Sequence, residues 1–229
     1  MAKRKKVSRK KLLKEPDEFI TLSGKMIQFG MQYKKEIIYA VVGVVAIIVL
    51  IAGYRFFSIR SENKAMFLLN EAVAKYDRSI QAGDVNQAYQ IVAKDFQTLL
   101  NQYGNKESGK LAGVTFANIC FDAGEYQRSI ELYEKALDHF KHHPTLYSLI
   151  LSGLGHAYEQ INENERAVSY FEQIIVSDDK TLHDEALFHL GVLYEKLGKK
   201  EKSEKAFNQI ISDYPDSIYI DIVRERTAG

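Results

Sequence analysis

The sequence predicts an all-α protein, in which a single membrane-spanning helix is followed by a solenoid of antiparallel helix pairs. Three observations carry this reading. Ile37 to Tyr54 reads IIYAVVGVVAIIVLIAGY, with no charge between Glu36 and Arg55. After it, apolar residues recur at steps of three and four, the period of amphipathic helices. Related windows then return at an interval of 36 residues from Gly155 to Gly191 and 38 from Ala117 to Gly155, the mark of a stacked repeat.

The basic residues at the start come first. Residues 1–14 hold eight of the Lys and Arg residues and few apolar groups, so they read as a disordered basic tail. Such a tail suits anionic lipid headgroups. It has no interleaved aromatics, so specific nucleic-acid binding is not expected. Over 15–35, Pro16-Asp17-Glu18 is a helix start, with proline and acids placed where the helix dipole favours them. Phe19, Leu22, Met26, Phe29 and Tyr33 form one apolar face, with Thr21, Lys25, Gln28 and Gln32 opposite, which predicts an amphipathic helix lying on a membrane surface beside the span. Docking of that helix on a protein partner stays open.

The span itself covers 36–57. Its eighteen uncharged residues reach roughly 27 Å at a rise of about 1.5 Å each, close to the hydrocarbon thickness of a bilayer. Arg55 can snorkel, Phe56 and Phe57 extend the apolar length, and Tyr39 and Tyr54 fall near the two interfaces. The formal charge of +1 conceals an asymmetry: residues 1–36 hold eleven Lys or Arg against four acids, which leaves the remainder net acidic by about six charges. Positive charge stays inside, so the amino-terminal side is expected in the cytoplasm and the domain at 61–229 outside it. A cleaved signal peptide fits less well, because the apolar run starts after 36 residues, is long, and ends in Gly-Tyr-Arg-Phe-Phe without a small-x-small cleavage site. Cys120 is the one cysteine, so no intrachain disulfide forms.

Beyond the span, a helix is expected from about Ser61 to Ile80, then a turn at Gln81-Ala82-Gly83-Asp84 with Asp84 as the amino cap of a helix over Val85 to Gln102. Phe96-Gln-Thr-Leu-Leu-Asn-Gln-Tyr103 returns later as Phe207-Asn-Gln-Ile-Ile-Ser-Asp-Tyr214. Three helix pairs follow. Their first helices contain Phe116-Ala117-Asn-Ile-Cys120, Leu154-Gly155-His-Ala-Tyr158 and Leu190-Gly191-Val-Leu-Tyr194, and end at Gly124, Asn162 and Gly198, residues that tolerate a left-handed turn. Their second helices set Ser129, Ala167 or Ser203 four residues before Tyr133, Phe171 or Phe207. A small residue lets neighbouring helices approach, and an aromatic fills the gap. The extra residues of the long period are assigned to Lys141–Pro144 and Asp178–Thr181. Asp216 to Gly229 gives a last helix, with Ile218, Tyr219, Ile222 and Val223 on its inner face, that caps the stack.

The Leu-Gly-x-x-Tyr windows, the left-handed turns and the small-to-aromatic spacing resemble the tetratricopeptide repeat (TPR) over about Lys110 to Pro215. The family's bulky first residue is replaced by Gly113, Leu151 and Leu187, and its tyrosine by Cys120 in the first window. A single span, a basic tail and an extracytoplasmic TPR domain also resemble the ancillary subunits of the bacterial Sec translocon. That resemblance implies a bacterial inner-membrane protein with a periplasmic domain, which meets translocon subunits, emerging polypeptides and periplasmic chaperones. A scaffold for another envelope complex, in division, pilus assembly or cytochrome maturation, is the alternative.

No catalytic constellation stands out, and no cofactor or metal is expected. Gly153-Leu-Gly155 lacks a third glycine and lies within a helix, and there is no P-loop. His139, His142 and His143 read as solvated, His183 and His189 have no zinc-protease spacing, and Cys120 reads as a small buried hydrophobe. The resemblance instead implies a groove lined by first helices. Its residues are Asn118, Phe121 and Asp122, then His156, Glu159 and Gln160, then Phe188, Val192, Glu195 and Lys196, a mixture of apolar groups, acids and amides suited to an extended or helical peptide. The groove could also be filled by the chain's own Asp216 to Gly229 segment or by the helix after the span.

The topology is directly testable. A reporter fused after Gly229 that is active only in the periplasm should work, and protease added to spheroplasts should digest the chain beyond about Phe57. Protection of the domain in intact spheroplasts would contradict the orientation.

Overall fold

The computed structural model describes residues 18–81 and 83–227, with side chains from residue 22 onward. The basic tail expected over 1–14, together with Pro16 and Asp17, lies outside the described residues. The chain divides into two units, Met1–Ser58 and Ile59–Gly229. No strand occurs among the described residues.

In the first unit, α1 (Glu18–Gln32) is followed by a turn at Tyr33, and α2 starts at Lys34. Leu22, Met26, Phe29 and Tyr33 are all exposed, and the Phe29 and Tyr33 rings lie 4.7 Å apart. The α2 helix runs without a break to Gln81, joining the expected span and the expected helix after it. It is long and apolar enough to cross a membrane, and its most apolar stretch is not buried within the protein. Its surface changes character along its length. From Val41 to Ile51 apolar side chains are exposed on all sides, whereas from Ala65 onward only Ala65, Leu69, Ala72 and Tyr76 are buried. Steps of four, three and four put those residues on one stripe.

The second unit continues with α3 (Val85–Tyr103), α4 (Glu107–Asp122), α5 (Tyr126–Phe140), α6 (Pro144–Gln160), α7 (Asn164–Ile175), α8 (His183–Lys196), α9 (Lys200–Asp213) and α10 (Ile220–Thr227). From α3 onward each helix packs on the next. The pairs α4/α5, α6/α7 and α8/α9 are the three expected repeats. Asp84 caps α3 by accepting from the Asn86 N–H at 2.9 Å. Lys106 offers α4 no side-chain cap, and Glu62 supplies it from α2. Its carboxylate accepts from the N–H groups of Glu107 (3.2 Å) and Ser108 (2.6 Å) and from the Ser108 hydroxyl (2.5 Å). Burial opposes the charge, but these donors outweigh it and hold the Glu62 carboxyl below its ordinary value.

Gly124, Asn162 and Gly198 turn the chain within each repeat with φ of 79°, 61° and 70°. Each turn is closed by the same hydrogen bond, from the N–H of Glu125, Glu163 or Lys199 to the carbonyl of Cys120, Tyr158 or Tyr194. This is the bond that ends a helix at a left-handed residue.

Two contacts then build the stack. Phe171 lies against Gly155 and Phe207 against Gly191, so closely that a Cβ on either glycine would come within 2.6 Å or 2.3 Å of the ring. The tyrosines of the Leu-Gly-x-x-Tyr windows reach back to the preceding repeat: the Tyr158 hydroxyl donates to Glu134 at 2.8 Å, and that of Tyr194 to Glu172 at 2.5 Å. Gly155 and Gly191 thus close each pair, and Tyr158 and Tyr194 join one pair to the next. Leu151 and Leu187 are buried in the places of the family's bulky first residue.

Three expected placements are corrected, the lengthened loop at Lys141–Pro144 and the packing of Ile218 and of Ile222, while the one at Asp178–Thr181 holds. The connection from α5 to α6 is three residues long, so the extra residues of the first period lengthen those helices rather than a loop. In the second period they do form a connection, residues 176–182. Ile218, assigned to an inner face, is 85% exposed because it precedes α10, and Ile222 is also exposed. Val223 is fully buried and plugs the core from that helix, with Ile220 partly buried against it.

Because Phe171 and Phe207 are themselves buried, their rings cannot swing into solvent to admit a methyl group. Gly155→Ala or Gly191→Ala should therefore cost about 1–3 kcal/mol in urea denaturation followed by circular dichroism. Phe171→Leu introduced into Gly155→Ala should recover part of that loss. Wild-type stability in both single variants would contradict the close packing.

Candidate functional site

An open hollow of about 270 Å³ lies between the first helices of the three repeats. Asn118 and Phe121 come from α4, Leu149, Ser152, Gly153 and His156 from α6, Glu185 from α8 and Leu182 from just before it, and Tyr133 of α5 contributes as well. The helical period explains the α6 set, because Leu149, Ser152 and His156 are three and four residues apart. Leu149 is 50% exposed, a large apolar side chain at the mouth. The Tyr133 hydroxyl donates to the Asn118 side-chain carbonyl, and the Phe121 and His156 rings lie 6.4 Å apart. The hollow is thus apolar at Phe121, Leu149 and Leu182 and polar at Asn118, Ser152, His156 and Glu185.

Glu185 accepts from the Ser152 hydroxyl at 2.6 Å and pairs with His156 Nε2 at 3.0 Å. Hydrogen bonding to His156 outweighs the cost of burial, with Ser152 adding to it, and keeps the Glu185 carboxyl below its ordinary value. A second knot lies next to it. Glu159 pairs with His189 Nδ1 at 3.3 Å and with the Lys196 ammonium at 2.7 Å. The His189 bond, against the cost of burial, and then Lys196 pull the Glu159 carboxyl down to about 2. Both imidazoles rest on Phe171: His189 stacks on the ring at 5.1 Å, and His156 meets it edge-on at 5.3 Å. The ring held against Gly155 therefore also sets the positions of the two histidines.

The residues expected in a groove fall into four groups. Asn118, Phe121 and His156 line the hollow together, while Glu159 and Lys196 form the adjoining ion pair. At the α8 end, Phe188 stacks on Tyr219 at 4.4 Å, Val192 packs against the core, and Glu195 pairs with Arg226 of α10 at 2.7 Å. The chain's own carboxy-terminal segment thus covers that end. Asp122 and Gln160 are exposed at the ends of α4 and α6. Sequence reasoning missed Leu149, Ser152, Leu182, Glu185 and His189. Helix periodicity was a usable signal for two of them, because Leu149 and Ser152 stand seven and four residues before the expected His156 on one face of α6.

Glu159 carries a pH signature. Its carboxyl titrates at about 2 in the folded chain against an ordinary value of 4.5, so the stability it confers is complete above pH 4.5 and is lost as pH falls towards 2. Glu159→Gln should lower the thermal midpoint at neutral pH, and its deficit relative to wild type should shrink on acidification through that window. A deficit independent of pH would contradict the ion pair.

The fold and the repeats match known proteins. Residues 112–175 and 185–217 each match a tetratricopeptide repeat family model. Among solved structures, a tetratricopeptide repeat protein from Parabacteroides merdae superposes with a TM-score of 0.55 at 19% identity, over 69% of this chain and 57% of that one. This chain therefore spans little more than half the length of that relative. MamA from Desulfovibrio magneticus gives a TM-score of 0.52 at 15% identity over 70% of this chain and 86% of that one. BtubC from P. vanneervenii gives 0.53 at 15% identity over 70% and 72%. At such identities the likeness concerns the fold, and tetratricopeptide repeats in general serve protein–protein interaction rather than catalysis. The unit from Ile59 onward is a tetratricopeptide-type α-solenoid, with tetratricopeptide repeats at residues 112–175 and 185–217.

Proposed function

We propose that this chain is a non-enzymatic adaptor, anchored in a bacterial inner membrane by the first part of α2, that holds an extended or helical polypeptide segment in the hollow between α4, α6 and α8. The observation that carries this reading is the hollow itself. Exposed Leu149 and half-buried Phe121 and Leu182 offer apolar contact, and Asn118, Ser152, His156 and Glu185 surround them with polar groups. That combination suits a peptide, with side chains entering apolar recesses and its backbone finding polar partners at the edge.

The anchor is supported by the exposed apolar surface of α2 ahead of Ala65. A helix apolar on all sides and unburied is at home in lipid. The excess of Lys and Arg before the span supports a cytoplasmic amino terminus and a periplasmic domain, with the basic tail on anionic headgroups. The likeness in architecture to the ancillary Sec translocon subunits supports a place beside the translocation channel, where the segment held would be an emerging polypeptide on its way to a chaperone.

The test is recovery of partners with the full chain from detergent. Wild type should bring down translocon subunits, and Phe121→Ala with Leu149→Ala should reduce the co-purified polypeptide several-fold while helicity is unchanged. Recovery of a different stable envelope machine would move the role to assembly of that complex. Unchanged recovery in the double variant would remove the hollow from consideration.

A further inference from the structure

The polar knot between α6 and α8 has the makings of a metal site. One ligand atom from each of His156, Glu159 and His189 lies within 4.8 Å of the other two. Tetrahedral coordination with bonds of about 2.0–2.1 Å needs such atoms roughly 3.3 Å apart, so small side-chain rotations would close the set. The two imidazole rings stand 4.4 Å apart and nearly perpendicular, at 89°. His156 engages the Glu185 carboxylate through Nε2, whereas His189 Nδ1 lies 3.3 Å from Glu159, the spacing of two ligand atoms on one ion. A neutral imidazole that donates one N–H to a carboxylate keeps a lone pair on its other nitrogen, and this arrangement is the usual one behind metal-bound histidines.

The surroundings favour an ion as well. The side chains of His156, His189 and Glu159 keep 29%, 21% and 14% of their exposure, so an ion and a water can reach them from one side. Phe171 fixes both rings from the other side. Lys196 supplies the positive charge that balances Glu159 in the metal-free chain, and an ion would take over that task. Two imidazoles and a carboxylate suit a first-row transition metal better than calcium or magnesium, which prefer oxygen alone.

We propose that His156, Glu159 and His189 bind a Zn²⁺-class ion across α6 and α8, with Glu185 orienting His156. Such an ion ties the second repeat to the third; the site shares His156 and Glu185 with the hollow, but ion binding requires no polypeptide there.

The experiment uses tag-free full-length protein in detergent, stripped with a chelator and titrated with Zn²⁺ against a chromophoric competitor. One Zn²⁺ per chain should bind and raise the thermal midpoint, and Co²⁺ in its place should show visible d–d bands. His156→Asn should abolish this site. His189→Phe should do the same while keeping a ring stacked on Phe171, so that loss of binding is separated from loss of fold. Glu185→Gln should weaken binding about tenfold, and Lys196→Gln should tighten it by removing the competing cation. His142→Gln with His143→Gln should leave binding unchanged. Absence of a stoichiometric site in wild type, or a site that survives in His156→Asn and His189→Phe, would overturn the assignment.

Discussion

The contact on which the rest of the domain depends is a phenylalanine ring pressed on a glycine. With Phe171 against Gly155, α6 and α7 approach more closely than any side chain on α6 would permit, and Phe207 against Gly191 repeats the arrangement in α8 and α9. A buried ring in such a socket exchanges many dispersion contacts with the atoms around it. The consequence extends to the candidate site. Phe171 also carries His189 on its face and His156 at its edge, so one packing contact sets both the helix pair and the imidazoles beside the hollow.

Polar contacts act on a second level, joining units that packing has already formed. Tyr158 and Tyr194 each bury a ring and donate a hydroxyl hydrogen bond to a glutamate of the preceding repeat. Burial raises both tyrosine pKa values, with the glutamates adding to it, so these hydroxyls stay protonated donors throughout the neutral range. In the first window the equivalent residue is Cys120, fully buried, its thiol pushed up to about 12 by burial. That thiol is a packing group and not a nucleophile. In its repeat polar links to the preceding helices come instead from Glu62, which caps α4 from α2, and from Arg128, which donates to Gln97 of α3.

What could be read from the sequence and what could not divide along the range of the interactions involved. The left-handed turns at Gly124, Asn162 and Gly198 and the Asp84 cap were legible because they are decided by residues within one helical turn. The Leu-Gly-x-x-Tyr windows were legible because stacking repeats them. Glu62 lies 45 and 46 residues from the two N–H groups it caps, and no local pattern announces it. Cover of the groove by the Asp216 to Gly229 segment stood as an alternative in the sequence, but its particular contacts, the Tyr219 stack on Phe188 and the Arg226 pair with Glu195, are long-range in the same way. Continuity of α2 was readable in principle, because no glycine or proline interrupts the chain from Arg55 to Gln81. The hollow was half legible: Asn118, Phe121 and His156 follow from the resemblance to repeats whose first helices line a groove, whereas Glu185 and His189 enter through side-chain contacts between α6 and α8.

The central claim is that the hollow receives another polypeptide, and a photo-crosslinking residue placed at Leu149 in living cells tests it most directly. Val176, 82% exposed on the connection before α8, is the matched control. The account predicts discrete adducts between the Leu149 probe and polypeptides in transit, lost when protein export is halted and absent from the Val176 probe. Adducts confined to the chain's own helices, or the same pattern from both probes, would contradict it.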